Sequence, residues 1–248
     1  MNNQLKLGIV IPTWQRPDGK TPELLKRTLT AINNQIYKNW KVYLIGDDYT
    51  NQKEFVELSQ IIPQDKILAI NLPVSVERNR YPNKGQSLWF SGGALATTIG
   101  IEYSINQGYD YVAYCDHDEL WGSDHLESIA ECIKETNSLF IYSKCFDARG
   151  RLLPKNIDLD LKHLGRSDWK YISRRALPND VVKSSCCINF KKLNLRPRDP
   201  LYFYNEITSG DAAFLARINS LLDELGEDSI LINKVTMIND QEGYTKTL

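Results

Sequence analysis

The sequence predicts an α/β fold: a mostly parallel, doubly wound sheet flanked by helices. Three observations carry that prediction. Apolar strand-like runs alternate with helical patterns in the order β-α-β-α-β-loop-α-β over the first half of the chain. The run Tyr111 to Cys115 is apolar throughout and reads as a buried strand. Acidic or polar residues follow three of the strands, and right-handed crossovers put such ends on one edge, where open α/β sheets bind ligands.

Leu5 to Ile11 reads as the first strand, with Pro12-Thr13-Trp14-Gln15-Arg16-Pro17 stopping it because the prolines lack ladder donors. Thr21-Pro22-Glu23 is a helix start, with Thr as N-cap and Pro at the first helical position. Leu25, Leu29, Ile32 and Ile36 then form its apolar face, and Trp40 closes it against the sheet. Lys41 to Gly46 is a second strand ending in Asp47-Asp48, either a ligand-facing pair or an Asx-turn into the helix around Glu54 to Ile61. Lys66 to Leu72 is a third strand.

Residues 73–91 are polar and aperiodic, with basic side chains suited to a diphosphate or to a solvated loop. Gly92-Gly93 opens a helix with Leu95, Ile99 and Tyr103 on one face, ended by Gly108. Ser123 caps a helix with Leu126, Ile129 and Ile133 inward, and Ser138 to Phe146 is a strand closed by the turn Asp147 to Gly150. Between Arg151 and Asn179 the period is lost, so an irregular, partly ordered segment is expected, a candidate lid. Val181 to Phe190 and Ile230 to Ile238 are strands. Between them lies a helix with Phe214, Ile218, Leu221 and Leu225 on its apolar face and Asp211 near its amino end.

The most informative stretch is Asp116-His117-Asp118-Glu119, directly after the run Tyr111 to Cys115. In extended backbone the Asp116 and Asp118 side chains share a face and reach one cation, and two carboxylates suit Mg²⁺ or Mn²⁺. The alternative is an acidic turn capping the next helix.

Composition narrows the class. The 248 residues carry 30 basic and 31 acidic side chains, formally −1, so no basic excess points to nucleic acid. The start Met1-Asn-Asn-Gln lacks signal-peptide character, and no apolar run reaches the length of a membrane span. The 5 cysteines form no CxxC pair and read as buried free thiols, so a cytoplasmic, reducing location is expected. The adjacent Cys186 and Cys187 are expected on opposite faces of a strand.

Taken in order, these residues resemble the GT-A nucleotide-sugar glycosyltransferases, and most of all glycosyltransferase family 2. The resemblance rests on Ile9-Val-Ile-Pro-Thr13 with its helix, the strand ending at Asp47-Asp48, and Asp116-His117-Asp118 as the family's DxD motif. It continues through Val182 to Phe190 and Ser209-Gly-Asp211-Ala-Ala-Phe-Leu-Ala-Arg217. It implies one GT-A domain over 1–248 with a smaller acceptor-side subregion, divided into a nucleotide-sugar-binding half at 1–119 and an acceptor-binding half at 120–248.

Carried over residue by residue, the resemblance implies that Pro12 and Thr13 line the nucleotide pocket. Asp47 or Asp48 then accepts from the base, uracil in a UDP donor. Asp116 lies by ribose and metal, and Asp118 holds Mn²⁺ or Mg²⁺ on the diphosphate. Asp211 is the base of an inverting hexosyltransferase.

The chain departs from the family pattern in two places. Thr97-Thr98 replace an Arg-Asn pair, leaving Arg80 and Lys84 as phosphate-side substitutes. No late histidine follows, and Asp240 and Glu242 are the acidic residues nearest that position.

The expected reaction is transfer of a sugar to a hydroxyl of a carbohydrate or other acceptor in glycan or polysaccharide synthesis. A nucleotidyltransferase acting on a sugar phosphate and a non-catalytic nucleotide-sugar-binding module remain as alternatives. Trp121, Trp169, Tyr171, Tyr202, Phe203 and Tyr204 are available either to stack on a sugar or to fill the core.

Overall fold

The computed structural model describes residues 5–81, 92–177, 180–195 and 210–239, with the backbone alone at Gly210 and Asp211. The strands are β1 (Leu7–Thr13), β2 (Trp40–Asp47), β3 (Ile67–Leu72), β4 (Tyr111–Tyr114), β5 (Leu120–Trp121), β6 (Phe140–Phe146), β7 (Leu152–Leu153), β8 (Tyr171–Ser173), β9 (Cys186–Asn189) and β10 (Ile230–Ile238). The helices are α1 (Thr21–Asn33), α2 (Gln52–Ser59), α3 (Val76–Arg80), α4 (Ala94–Asn106), α5 (His125–Thr136), α6 (Ile157–His163) and α7 (Gly210–Leu225).

The strands form a single sheet in the order β3-β2-β1-β4-β9-β6-β10-β5, with β7 beside β6 and β8 beside β10. The strands β1, β2, β3, β4, β6 and β10 run one way, and β5, β7, β8 and β9 run against them. The expected mostly parallel sheet is therefore present, with β9 as the antiparallel strand that joins its two halves.

Side chains alternate between two cores. Leu7, Ile9 and Ile11 of β1 pack on one face with Leu25 and Leu29 of α1, Phe55 of α2 and Ile129 of α5. Val10 packs on the other face with Ile101 of α4, Leu161 of α6 and Ile218 of α7. Cys187 belongs to the first core and Cys186 to the second, as the period of two requires. All five cysteines are buried and free.

Pro12 sits inside β1 rather than ending it, so the strand runs two residues beyond its expected end at Ile11. The carbonyl of Val10 accepts from Cys115 N at 3.1 Å, so Val10 faces β4, and with a period of two so does Pro12. The β1–β4 pairing ends at Val10–Tyr114, whereas β1–β2 continues to Thr13–Gly46. The missing donor of Pro12 thus falls where β4 has already left the ladder. Beyond that point β1 and β4 are no longer paired, at the carboxyl edge of the sheet, where a doubly wound fold has its crevice. Strand order reverses at that point, which is where doubly wound sheets take ligands.

Helix faces differ from expectation in α4. Its buried residues are Ala96, Thr97, Gly100, Ile101 and Ser104, while Tyr103 is exposed. Small residues face the sheet because helix and strand lie too close for larger ones. A Cβ on Gly100 would stand 2.6 Å from Val10 Cγ1, and one on Gly8 would stand 1.9 Å from Ser104 Oγ. In α7 the inward residues are Phe214, Leu215, Ile218 and Leu222, with Leu225 exposed. Ile36, past the end of α1, is exposed as well.

The segment expected to be irregular carries regular structure. Ile157 and Leu161, one helical turn apart, bury the inner face of α6, and Tyr171–Ser173 pairs antiparallel with Ile230–Ile232. Elements this short hold too few apolar positions for a period to be read. Among the described residues no helix is long and apolar enough to cross a membrane.

Candidate active site

Asp116 and Asp118 follow β4 in a turn rather than in extended backbone. Glu119 N donates to Asp116 O at 3.1 Å, closing Asp116-His117-Asp118-Glu119 on itself. The expected reason for the two carboxylates sharing a face, strand periodicity, therefore does not apply; their proximity comes from the turn. The turn does not cap the next helix either, because it leads into β5 and Asp124 stands at the N-cap of α5.

Two arms clamp this turn. From α1, the Thr28 hydroxyl is shared between the carbonyls of His117 at 3.0 Å and Glu119 at 2.8 Å. Arg27 Nη2 donates to Asp118 O at 2.9 Å. From the short helical turn Lys183–Ser185, the Ser184 hydroxyl accepts from Asp116 N at 3.0 Å, and the Ser184 carbonyl accepts from Trp121 Nε1 at 3.0 Å.

Each carboxylate also faces a cation: Arg16 Nη1 lies 3.6 Å from Asp118 Oδ2, and Lys183 Nζ lies 3.5 Å from Asp116 Oδ1. Burial, more than any neighbour, pushes the Asp118 carboxyl above the usual carboxylate range. His117 and Arg16 pull it down and Asp116 adds to the rise. Among the described residues no three His, Cys, Asp or Glu side chains gather around one point.

The other wall of the crevice is built from the ends of β1 and β2. Asp47, the last residue of β2, is buried, with Arg78 Nε of α3 3.3 Å from its Oδ2. Burial raises the Asp47 carboxyl, with the Ser75 hydroxyl and Arg78 pulling against it. The Arg78 guanidinium lies over the Trp14 ring, 3.2 Å from its centre. Asp48 takes a left-handed conformation, φ 55°, and is exposed. The Thr13 hydroxyl is buried without a hydrogen-bond partner among the described residues, and Gly93 at the start of α4 packs beside Pro12.

No protein-family model matches the chain. A protein of Acanthamoeba polyphaga mimivirus, named as an uncharacterized glycosyltransferase, R139, is 32% identical over 253 residues, which cover 98% of this chain and 97% of R139. This chain belongs to the GT-A, family 2-like glycosyltransferases. The glycosyltransferase is also 32% identical over 123 residues to the succinoglycan biosynthesis protein ExoW of Rhizobium meliloti, covering 49% of this chain and 32% of ExoW. Its fold matches S. aureus TarS, solved in complex with UDP-GlcNAc, with a TM-score of 0.64 at 14% identity, over 94% of this chain and 58% of the TarS chain.

In this glycosyltransferase Pro12 and Thr13 end β1, Asp47 ends β2, and Asp116 and Asp118 lie in the turn after β4, all at the carboxyl edge of the sheet. Asp211 is the second residue of α7. Arg80 is exposed at the end of α3, its guanidinium 5.5 Å from the Tyr81 ring centre. Lys84, Tyr202, Phe203, Tyr204, Asp240 and Glu242 lie outside the described residues. Thr97 and Thr98 spend their hydroxyls on the carbonyls of Gly93 and Ala94 within α4. Trp121 is a core residue packed against His125, with ring centres 4.3 Å apart and planes tilted by 32°, and Trp169 is exposed.

Sequence reading missed Arg16, Arg27, Thr28, Lys183 and Ser184, whereas Arg78 lay in the basic segment read as suited to a diphosphate and is found instead against Asp47. Only tertiary structure makes them neighbours of the two aspartate strand ends. The one local signal was the Arg16-Pro17 pair in the loop after β1.

Proposed function

We propose that this glycosyltransferase moves a sugar from a UDP-linked donor to an acceptor hydroxyl, with a divalent metal and with inversion, in polysaccharide or other glycan synthesis. The observation that carries the reading is the pair Asp116 and Asp118 on one turn at the crevice between β1 and β4, across from the buried Asp47. The names of the relatives support the class of product: ExoW is a succinoglycan biosynthesis protein, and TarS was solved with UDP-GlcNAc.

The donor set suits a hard cation. Two carboxylates on one turn repel each other, and that repulsion adds to the rise of Asp118, so a divalent ion between them relieves a real electrostatic cost. Asp116 and Asp118 would hold it; when bound it neutralises charge on the departing diphosphate. Asp47 would accept the uracil imide N–H, with Thr13 offering an unspent hydroxyl beside it. The acceptor oxygen attacks the anomeric carbon as the bond from that carbon to the diphosphate oxygen breaks. The electron pair leaves with the diphosphate, and Asp211 takes the acceptor proton.

The test is a thermal-shift panel of UDP-, GDP-, dTDP- and CMP-linked sugars with and without Mn²⁺, followed by anomer-resolved analysis of the product formed with the stabilising donor. A melting temperature raised by a UDP-sugar only in the presence of Mn²⁺ is expected. Equal response to all nucleotides, or none with metal present, overturns the donor assignment. Retention of anomeric configuration removes Asp211 as the base.

A further inference from the structure

We propose that Glu77 is a positioning residue of the donor site: from α3 its carboxylate caps α4, and so anchors the first turn of that helix, beside Pro12, to the element that contacts Asp47. The inference rests on the donor-site reading above and deepens it by naming the residue that fixes the α4 side of that site.

The amino end of α4 has no cap of its own. The first N–H groups of a helix lack partners within it, and a Ser, Thr, Asn or Asp at the N-cap commonly supplies one. Here the N-cap is Gly93, left-handed at φ 76°, which has no side chain to offer. Leu95 N donates instead to Glu77 Oε1 at 2.6 Å, from 18 residues earlier in the chain. Glu77 is fully buried, and the bond is as short as charge-assisted ones are. A carboxylate at the positive pole of a 13-residue helix is also favoured by the helix dipole.

The same short helix is fastened to the sheet. Arg78 Nε lies 3.3 Å from Asp47 Oδ2, and the hydroxyl of Ser75, the N-cap of α3, hydrogen-bonds to Asp47 as well. Residues 75 and 78 therefore reach the end of β2 while residue 77 reaches α4. At the α4 end the Gly93 carbonyl accepts from Thr97 N at 2.9 Å and from the Thr97 hydroxyl at 2.8 Å, which ties Gly93 into the first turn. A Cβ on Gly93 would stand 3.5 Å from Pro12 Cβ, in ordinary contact. The pairing of β1 with β2 already sets Pro12 and Asp47 relative to each other. What Glu77 adds is the place of the α4 turn against that frame. A nucleotide bound between these groups meets a wall that is already ordered, and loss of such preorganisation weakens binding.

Glu77→Met keeps the length and bulk of the side chain and removes its oxygens. Glu77→Ala, whose space admits water to the Leu95 N–H, is the second variant with the same loss. Glu77→Gln keeps an acceptor oxygen without the charge. Exchange of the Leu95 amide is read by nuclear magnetic resonance, and UDP binding with Mn²⁺ by calorimetry well below the melting temperature of each variant. In Glu77→Met and Glu77→Ala the Leu95 amide is expected to exchange at least about tenfold faster, and UDP to bind about tenfold more weakly. In Glu77→Gln both are expected to stay within about threefold of the parent. A residue that only supported the fold would lower the melting temperature and leave the affinity of the folded chain as it was.

Unchanged UDP affinity in Glu77→Met and Glu77→Ala, whatever their melting temperatures, overturns the proposal. Unchanged Leu95 exchange in those variants overturns it too, because the bond then does not hold the turn. UDP binding as weak in Glu77→Gln as in Glu77→Met means that charge and not the cap is at work, and overturns it as well. Failure of the unmodified protein to bind UDP with Mn²⁺ refutes the donor-site reading itself, a result told apart from the others because it is seen in the parent chain.

Discussion

Arg16 Nη1 stands 3.6 Å from Asp118 Oδ2, although the two residues belong to different strand ends. This contact joins the loop after β1 to the turn after β4 across the crevice that Pro12 leaves open. The same guanidinium reaches back to Asp18 at 2.7 Å, so one buried cation fixes the loop and faces Asp118. Removing it leaves two carboxylates without that cation and packing around an empty space. Because Asp18 is partly exposed, the loss falls short of a fully buried broken pair, and Arg16→Met is expected to cost about 2 kcal/mol in urea unfolding. It is also expected to lower the Mn²⁺-dependent rise in melting temperature with UDP. A variant as stable as the parent, with an unchanged metal response, refutes this account of Arg16.

At Asp118 the proposed metal-holding role is set against stability. Burial and the charge of Asp116 raise its carboxyl, so its ionised form is held at a cost in the folded chain. Asp118→Asn removes that cost while keeping shape. In the absence of ligands at pH 7 the variant is expected to be as stable as the parent or more so, by up to about 1 kcal/mol. The Mn²⁺-dependent part of its stabilisation by UDP is expected to vanish. A destabilised Asp118→Asn that still responds to metal would place the ion elsewhere.

The fold was legible where sequence period and geometry agree. Strands β1, β2 and β4 carry largely apolar runs bounded by turn residues, and the period of two correctly sends Cys186 and Cys187 to opposite cores. The inner face of α4 was misread because tight packing selects Gly100 and Ser104 there, and small residues give no hydrophobic signal. For the site, Asp116 and Asp118 stood out because acidic residues abruptly follow a buried strand. The groups that hold them did not stand out. Thr28 looks like any helix residue, and Ser184 like any strand residue, until the fold brings the first to the carbonyls of His117 and Glu119 and the second to Asp116 N. The turn itself was hidden too, since two aspartates separated by one residue converge equally well from a strand or a turn.

A buried histidine next to this framework sets an acid limit on the fold. His125 is fully buried, packs against Trp121, and has Nδ1 2.6 Å from Thr236 Oγ1, which donates to Ser143 Oγ at 2.7 Å. With the Thr236 proton given to Ser143, Nδ1 carries the ring proton, and Nε2 has no partner among the described residues. Burial pushes this imidazole down from 6.5 to about 3. The folded pKa lies below the unfolded one, so the unfolded chain takes up a proton first as pH falls. The contribution of His125 is complete above pH 6.5 and is lost progressively toward pH 3, at up to about 1.4 kcal/mol per pH unit. Urea unfolding at pH 7.0 and 5.0 should therefore show a smaller pH-dependent loss for His125→Gln than for the parent. Equal losses would mean that the imidazole is protonated, or solvated, in the folded chain.

Gly100 tests how closely α4 lies on β1, because two opposing effects of similar size meet there. In the middle of an exposed helix, replacing Gly by Ala stabilises by about 1 kcal/mol. Here the new methyl would stand 2.6 Å from Val10 Cγ1 and 3.3 Å from Ile45 Cγ1. Val10 is β-branched and fully buried in a strand paired on both sides, so it has little room to turn away. Overpacking of this kind costs about 1–3 kcal/mol and outweighs the helical gain. Gly100→Ala is expected to be destabilised by about 1 kcal/mol, the net of the two effects. The double variant Gly100→Ala with Val10→Ala separates the causes. If steric conflict with Val10 is responsible, the added methyl fills the space vacated at Val10, and the double variant is more stable than the sum of the single effects by at least about 1 kcal/mol. Additive effects would mean that helix and strand stand further apart than the 2.6 Å approach implies, and the small-residue face of α4 would then need another explanation.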